Sequence, residues 1–271
     1  MLNKTNEPSG ANMYTINDFE NAVKDLNEGI GNEDFNPISS IGKLFEGIKN
    51  YFQGKLLGLD KPLVLADVNA AKKVVGKLNY TDVMDTLIFQ PQRLNRSYKE
   101  LMPTLDQGMR FLLTTEQALP SLLKCLLDIH DGAGISIYAS SALVQTKNKF
   151  ELELQKALNG KDTTEAVFST RFENMTQYQA AYVEFNSLVQ TLVRRNPQTV
   201  RLNVDRIAQL AQGIHSSVAA GELVMDRNQV KQLGDLLLQM ARVIDVYSVT
   251  TTLMLATGTA LNNTAEKLLS K

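Results

Sequence analysis

Residues 226–269 read DRNQVKQLGDLLLQMARVIDVYSVTTTLMLATGTALNNTAEKLL. Taken at alternating steps of three and four, the stretch presents Val230, Leu233, Leu237, Met240, Ile244, Tyr247, Thr251, Met254, Gly258, Leu261, Ala265 and Leu268. That spacing draws one seam along one face of a helix, with Thr251 and Gly258 the members that are not ordinary apolar side chains. A helix of about 43 residues rising 1.5 Å at each is a rod of roughly 65 Å. An unbroken seam on such a rod must be covered by other rods. The stretch therefore predicts an all-α fold, a long-helix antiparallel bundle in which these residues form an assembly stripe. Asp226 and Gln229 have the capping-box spacing that opens the helix.

Working back from the rod, the same three-four pattern recurs. Ile207, Leu210, Ile214 and Val218 predict a shorter helix over 204–220, closed by Gly221. Asp162 and Glu165 are read as a capping box opening a helix that runs to Arg195 along Phe168, Phe172, Met175, Tyr178, Tyr182, Phe185, Val189 and Leu192, with Asn196 and Pro197 as its stop. Leu143, Phe150, Leu154 and Ala157 predict a helix over 135–158, interrupted by Lys147 and preceded by a turn at 131–134. Ser97 and Glu100 have capping-box spacing, Leu101, Leu105, Met109, Leu112 and Leu113 continue the face, and a second piece from Ser121 to Ile129 follows Pro120. Short turns make consecutive helices antiparallel neighbours, and the shared stripe favours left-handed packing.

Residues 96–271 are thus the bundle. Before it, residues 39–95 read as an amphipathic helix (Ile41, Leu44, Phe45, Ile48, Tyr51, Phe52, Leu56) and a short-helix connector: an extended piece at 62–68, then helices over 69–78 and 81–88. Gly42, Gly47 and Gly54 weaken the first helix by about 0.5 to 1 kcal/mol each relative to Ala, so it depends on packing or a surface. Residues 1–38 read as an acidic N-terminal arm or propeptide, with seven acidic residues against Lys4 and Lys24. It holds one short helix through Ile16, Phe19, Val23 and Leu26, capped by Thr15 or Asn17 and stopped by Gly29 and Gly31, and Pro37 closes the segment.

Composition excludes more than it assigns. With 28 basic and 29 acidic residues among 271, no global charge draws the chain to nucleic acid or an anionic membrane. The densest basic group, Arg194, Arg195, Arg201 and Arg206, reads as solvated charge near helix ends more than as a phosphate contact. The longest uncharged run, Val246 to Ala265, has bilayer-spanning length, but its threonines and asparagines fit a buried bundle helix better. No export signal is read at the N-terminus. Cys125, among leucines, reads as a small core residue. His130 and His215 have no partners at ligand spacing, and Glu151 and Glu153 alternate with leucines as a solvated face. The expectation is no enzyme, no cofactor and no metal.

The segment Ser97 to Leu123, SYKELMPTLDQGMRFLLTTEQALPSLL, followed by long helices, resembles virion structural or internal head proteins of large tailed bacteriophages. The resemblance implies a noncatalytic, capsid-associated protein made in the host cytoplasm and located in the virion, with other virion proteins and itself as partners. In that group, N-terminal propeptides are removed after a glutamate that follows an apolar or small residue two positions earlier. Leu26-Asn27-Glu28 and Gly31-Asn32-Glu33 fit, which makes Glu28 and Glu33 the candidate cleavage positions. Two other readings stand beside it. One is a membrane-acting protein similar to α-helical pore-forming toxins, inserting Ser39 to Leu59 or Val246 to Ala265; the other is a host-directed binding adaptor.

Overall fold

The computed structural model describes residues 15–30, 35–59, 62–131, 138–193 and 198–271. The long rod is present as one helix. In chain order the described elements are α1 (Ile16–Gly29), α2 (Pro37–Leu59), α3 (Val68–Lys77), α4 (Tyr80–Val83), β1 (Leu87–Phe89), α5 (Tyr98–His130), α6 (Tyr138–Ala157), β2 (Glu165–Val167), α7 (Phe168–Arg171), α8 (Met175–Val193), α9 (Gln198–Ala219) and α10 (Arg227–Leu269). The fold is an all-α bundle, with one two-stranded antiparallel ladder pairing Leu87 with Val167 and Phe89 with Glu165.

Asp226 caps α10 through the anticipated box: its carboxylate accepts from the Gln229 amide at 2.8 Å, and Gln229 Oε1 accepts from the Asp226 amide at 2.8 Å. All the stripe residues except Thr251 are buried, and so are Leu236, Ala241, Val243, Val246, Leu253 and Ala260 on its flanks. α10 is therefore a central helix, not a one-sided rod. It is wrapped by α1 and α2 on its first half and by α3, α5, α6, α8 and β1 further along.

Close approach needs residues without a side chain. A Cβ at Gly258 would sit 2.3 Å from the carbonyl oxygen of Val64 and 3.0 Å from the Phe185 ring, so the 62–67 strap and α8 lie this close to α10 because position 258 has no side chain. The strap is held by two amide side chains. Asn186 of α8 accepts from the Ala66 amide at 2.8 Å and donates to its carbonyl at 2.6 Å, and Asn262 of α10 does the same for Asp67 N at 2.8 Å and Leu65 O at 3.0 Å.

The structure corrects several expectations. Consecutive helices are not all neighbours: α9 packs on α2 and α5, because α2 lies between α9 and α10. Nor are all neighbours antiparallel. α1 runs against α10, placing Glu20 by Arg242 and Leu26 by Gly234, but α2 runs with it, placing Leu44 by Gly234 and Tyr51 by Asp245. Pro37 opens α2 instead of closing the lead-in, with Asn36 Oδ1 accepting from the Ile38 and Ser39 amides. The helix expected over 81–88 is α4 and then β1, whose Phe89 amide is bound by Thr264 of α10 at 3.2 Å. The helix expected from Asp162 is β2, α7 and then α8. The break falls at Asn174, whose side chain caps α8 by accepting from Gln177 N at 2.8 Å.

α5 passes unbroken through Pro103 and Pro120, and Ser97 caps it without a side-chain bond, so the expected capping box is absent. Pro120 is exposed, while Leu119, Leu122 and Leu126 around it are buried; packing on the inner face holds the helix across the missing amide. Gly221 does close α9, at φ +75°. The 132–134 part of the expected turn and the Asn196-Pro197 stop lie outside the described residues.

One hydrophobic core runs from Phe19 to Leu268, so the described residues of 1–38, 39–95 and 96–271 share an interior. The acidic lead-in is therefore not a free arm over α1: Phe19, Val23 and Leu26 are buried against α2 and α10.

Candidate functional site

Polar groups converge at the edge of the bundle, around a single turn of α10. Arg242 Nε donates to Glu20 Oε1 of α1 at 2.9 Å. Three residues on, Asp245 Oδ1 accepts from the Tyr51 hydroxyl of α2 at 3.0 Å. Lys147 Nζ of α6 pairs with Glu151 at 2.7 Å, and both line the same pocket of about 350 Å³ as Glu20, Arg242 and Asp245. Lys147 does not break the α6 stripe. It is 7% exposed, between buried Leu143 and Phe150, and reaches out of the core to meet its carboxylate. Burial, then the Asp245 charge, raises the Tyr51 hydroxyl far above its ordinary value, which keeps it a neutral donor. The node carries both signs: Glu20–Arg242 and Tyr51–Asp245 join α10 to α1 and α2, while Lys147–Glu151 is a pair within α6.

A second polar group ties the far end. Arg171 of α7 donates to Gln90 Oε1 at 2.6 Å, Leu94 O at 3.1 Å and Thr170 O at 3.3 Å, all neutral acceptors. Burial lowers its pKa. Beside it runs an aromatic cluster: Tyr98 stacks on Phe172 at 4.6 Å, and Tyr178 meets Phe168, Phe172 and Tyr182. Tyr182 in turn donates to the Leu261 carbonyl of α10. Burial pushes Tyr178 up to about 12. The Tyr98 hydroxyl is buried with no hydrogen-bond partner.

Two open grooves flank the bundle. One, of about 850 Å³, lies between α1 and α2 and is lined by Asp18, Asp25, Lys43 and Glu46 around Ala22 and Gly47. The other, of about 450 Å³, lies between α5 and α8 over Met102, Pro103, Ala180, Ala181 and Leu188.

The assembly stripe is where the structure changes the sequence reading most. Val230, Leu233, Leu237, Met240, Ile244, Tyr247, Met254, Gly258, Leu261 and Leu268 are all buried by helices of their own chain. They are a core seam, covered within the chain, because α10 has neighbours on most of its sides and keeps a solvent face along Lys231, Arg242, Thr252, Thr259 and Glu266. Glu28 lies exposed in the last turn of α1 and pairs with Lys24 at 3.8 Å, so its peptide bond is helical where a protease needs it extended. Glu33 lies outside the described residues. Of the basic group, Arg201 and Arg206 are exposed on α9, and Arg194 and Arg195 lie outside the described residues.

His130 ends α5 beside Asp131 at 3.2 Å and faces Gly213, and His215 packs on Gly42 and Phe45. Among the described residues, no cluster of histidines, cysteines and carboxylates has a metal-binding arrangement. Burial raises the Cys125 thiol, as a core residue requires.

Glu20, Arg242, Asp245 and Arg171 were not singled out by spacing. The signal for the first three was a pair of opposite charges three residues apart on a helix buried on most sides; for Arg171 there was none. No family model matches the chain, and neither a curated protein nor a solved structure is significantly similar to it.

Proposed function

We propose that this chain is a noncatalytic structural protein of a bacteriophage particle, internal to the head or attached to the capsid, acting through contacts with other virion proteins and with copies of itself. One observation carries the reading. The polar side chains that reach between elements join one to another, as Glu20 to Arg242, Tyr51 to Asp245, and Asn186 and Asn262 to the strap, so outward work falls to the surfaces. The resemblance of Ser97 to Leu123 supports the particle. The contact surface is not the seam of α10, which is covered, but the grooves between α1 and α2 and between α5 and α8.

Mass spectrometry of purified particles tests this. The chain is expected at a fixed copy number, and its absence, together with a monodisperse monomer that binds no particle component, refutes the proposal. The membrane-acting alternative would have to extract α2 or α10 from the core. No helix among the described residues is long and apolar enough to cross a membrane, and liposome leakage is expected to be nil.

A further inference from the structure

The two ties on the Arg242–Asp245 turn differ in strength. Tyr51, which binds Asp245 from α2, is buried, but the pair that holds α1 is half in water, with Arg242 46% and Glu20 37% exposed. α1 itself has 14 residues, a length that is only marginally helical alone, and its inward face consists of Phe19, Val23 and Leu26. Its C-terminal end is held by Arg227, which donates to Ile30 O at 3.1 Å and lies 5.8 Å over the Phe35 ring. α3 is shorter still, but the strap leading into it carries four bonds from Asn186 and Asn262.

The seat of α1 is shaped for its occupant. Gly234 forms the floor, where a Cβ would come within 2.9 Å of Leu26 Cδ2, Leu44 of α2 closes one side, and Tyr51 stacks on Phe19 at 6.4 Å. Any helix placed there needs apolar residues at i, i+4 and i+7.

We propose that α1 is an exchangeable helix: it leaves this trough as a unit, and the trough then takes α1 from a second copy of the chain. The second copy is the occupant because it carries the same triplet, the same Glu20 for Arg242 and the same Ile30 carbonyl for Arg227, so exchange restores every contact that release removes. Release uncovers Phe19, Val23 and Leu26 but leaves α10 on its other neighbours, so it is a local opening and not global unfolding. The inference stands independently of the particle.

Hydrogen exchange on the full chain tests the release. Amides of 19–29 are expected to exchange at least tenfold faster than those of 236–261. Arg242→Gln should accelerate the first set about twofold to fivefold, the scale of one half-exposed ion pair. Arg110→Gln, which breaks the Arg110–Asp106 surface pair on α5, should leave 19–29 unchanged. Exchange between copies is read by mixing ¹⁴N- and ¹⁵N-labelled chains at high concentration and cross-linking lysines of α1 and α10. Mixed-isotope links should appear in the dimer fraction and increase with Arg242→Gln. Equal exchange rates in α1 and α10, or single-isotope links alone at every concentration, overturn the proposal.

Discussion

Gly258→Ala isolates the contact on which the central helix and its strap depend. The new Cβ would lie 2.3 Å from the Val64 carbonyl oxygen and 3.0 Å from Phe185 Cε1, both on elements that cannot turn away like a flexible side chain. Restoring an ordinary C···O separation of about 3.3 Å moves the strap by roughly 1 Å. The four amide bonds beside it, now 2.6 to 3.0 Å, would then stretch beyond bonding range. Each is worth about 1 kcal/mol net, and overpacking alone costs about 1–3 kcal/mol. Against this, replacing a helical glycine by alanine returns up to about 1 kcal/mol. The balance is a loss of about 4–6 kcal/mol, or a fall in Tm on the order of 10 °C. Gly76→Ala is the internal control, because nothing lies within 4 Å of a Cβ there, and it should gain up to about 1 kcal/mol. Thermal melting of the two variants beside the parent decides the matter. A Gly258→Ala protein that melts at or above the parent refutes the close-approach argument.

Tyr51, Tyr98, Tyr178, Tyr182 and Tyr247 all have pKa values raised by burial, Tyr178 to about 12. A raised phenol favours the folded state below the unfolded value near 10 and loses that advantage as pH rises through the folded value. Stability should therefore hold to about pH 9.5 and then fall, with tyrosinate absorbance appearing together with the loss of helical circular dichroism; gradual ionisation before unfolding would contradict it. Lys147→Met should stay within about 1 kcal/mol of the parent by urea midpoint, because an apolar residue of similar length suits the stripe and Glu151 is partly solvated; Lys147→Glu, setting a carboxylate beside Glu151, should cost about 3–5 kcal/mol. Arg171→Lys should lose about 1–3 kcal/mol in the same assay, since an ammonium cannot reproduce the fork that reaches Gln90, Leu94 and Thr170 together.

What could be read from the sequence was whatever one helix decides by itself. The seam of α10, its Asp226 cap, the Gly221 stop and the short helix through Phe19, Val23 and Leu26 are local periodicity and capping, and all four appear. What could not be read depends on a partner distant in sequence. Residues 165–171 have helical spacing, yet Glu165 to Val167 pair with β1, because Thr264 of α10 fixes the Phe89 backbone and offers the ladder a place. Asn174 and Gln177 did carry a capping signal, which was masked by an apolar stripe running through them. Pro120 was a break by local rules and is none, because a buried inner face outweighs one missing amide. The Arg242 node could not be assembled for the same reason: its members come from α1, α2, α6 and α10, and only the packing brings them together.

The uncharged run of α10 shows how such polar content should be weighed. Thr250, Thr257, Asn262 and Thr264 do not weigh equally against a bilayer. In this bundle each has a specific acceptor or donor: Thr250 and Thr257 bind the carbonyls of Val246 and Leu253 one turn back, Asn262 holds the strap, and Thr264 holds β1. The first two are satisfied within the helix and would tolerate any apolar surroundings. Asn262 and Thr264 would not, since their partners are backbone atoms of other elements of this chain. Lack of charge is thus explained by burial on most sides of the helix, and the polar residues mark where α10 must accept backbone that has no partner of its own. That is the arrangement expected of a central helix around which the other elements are assembled.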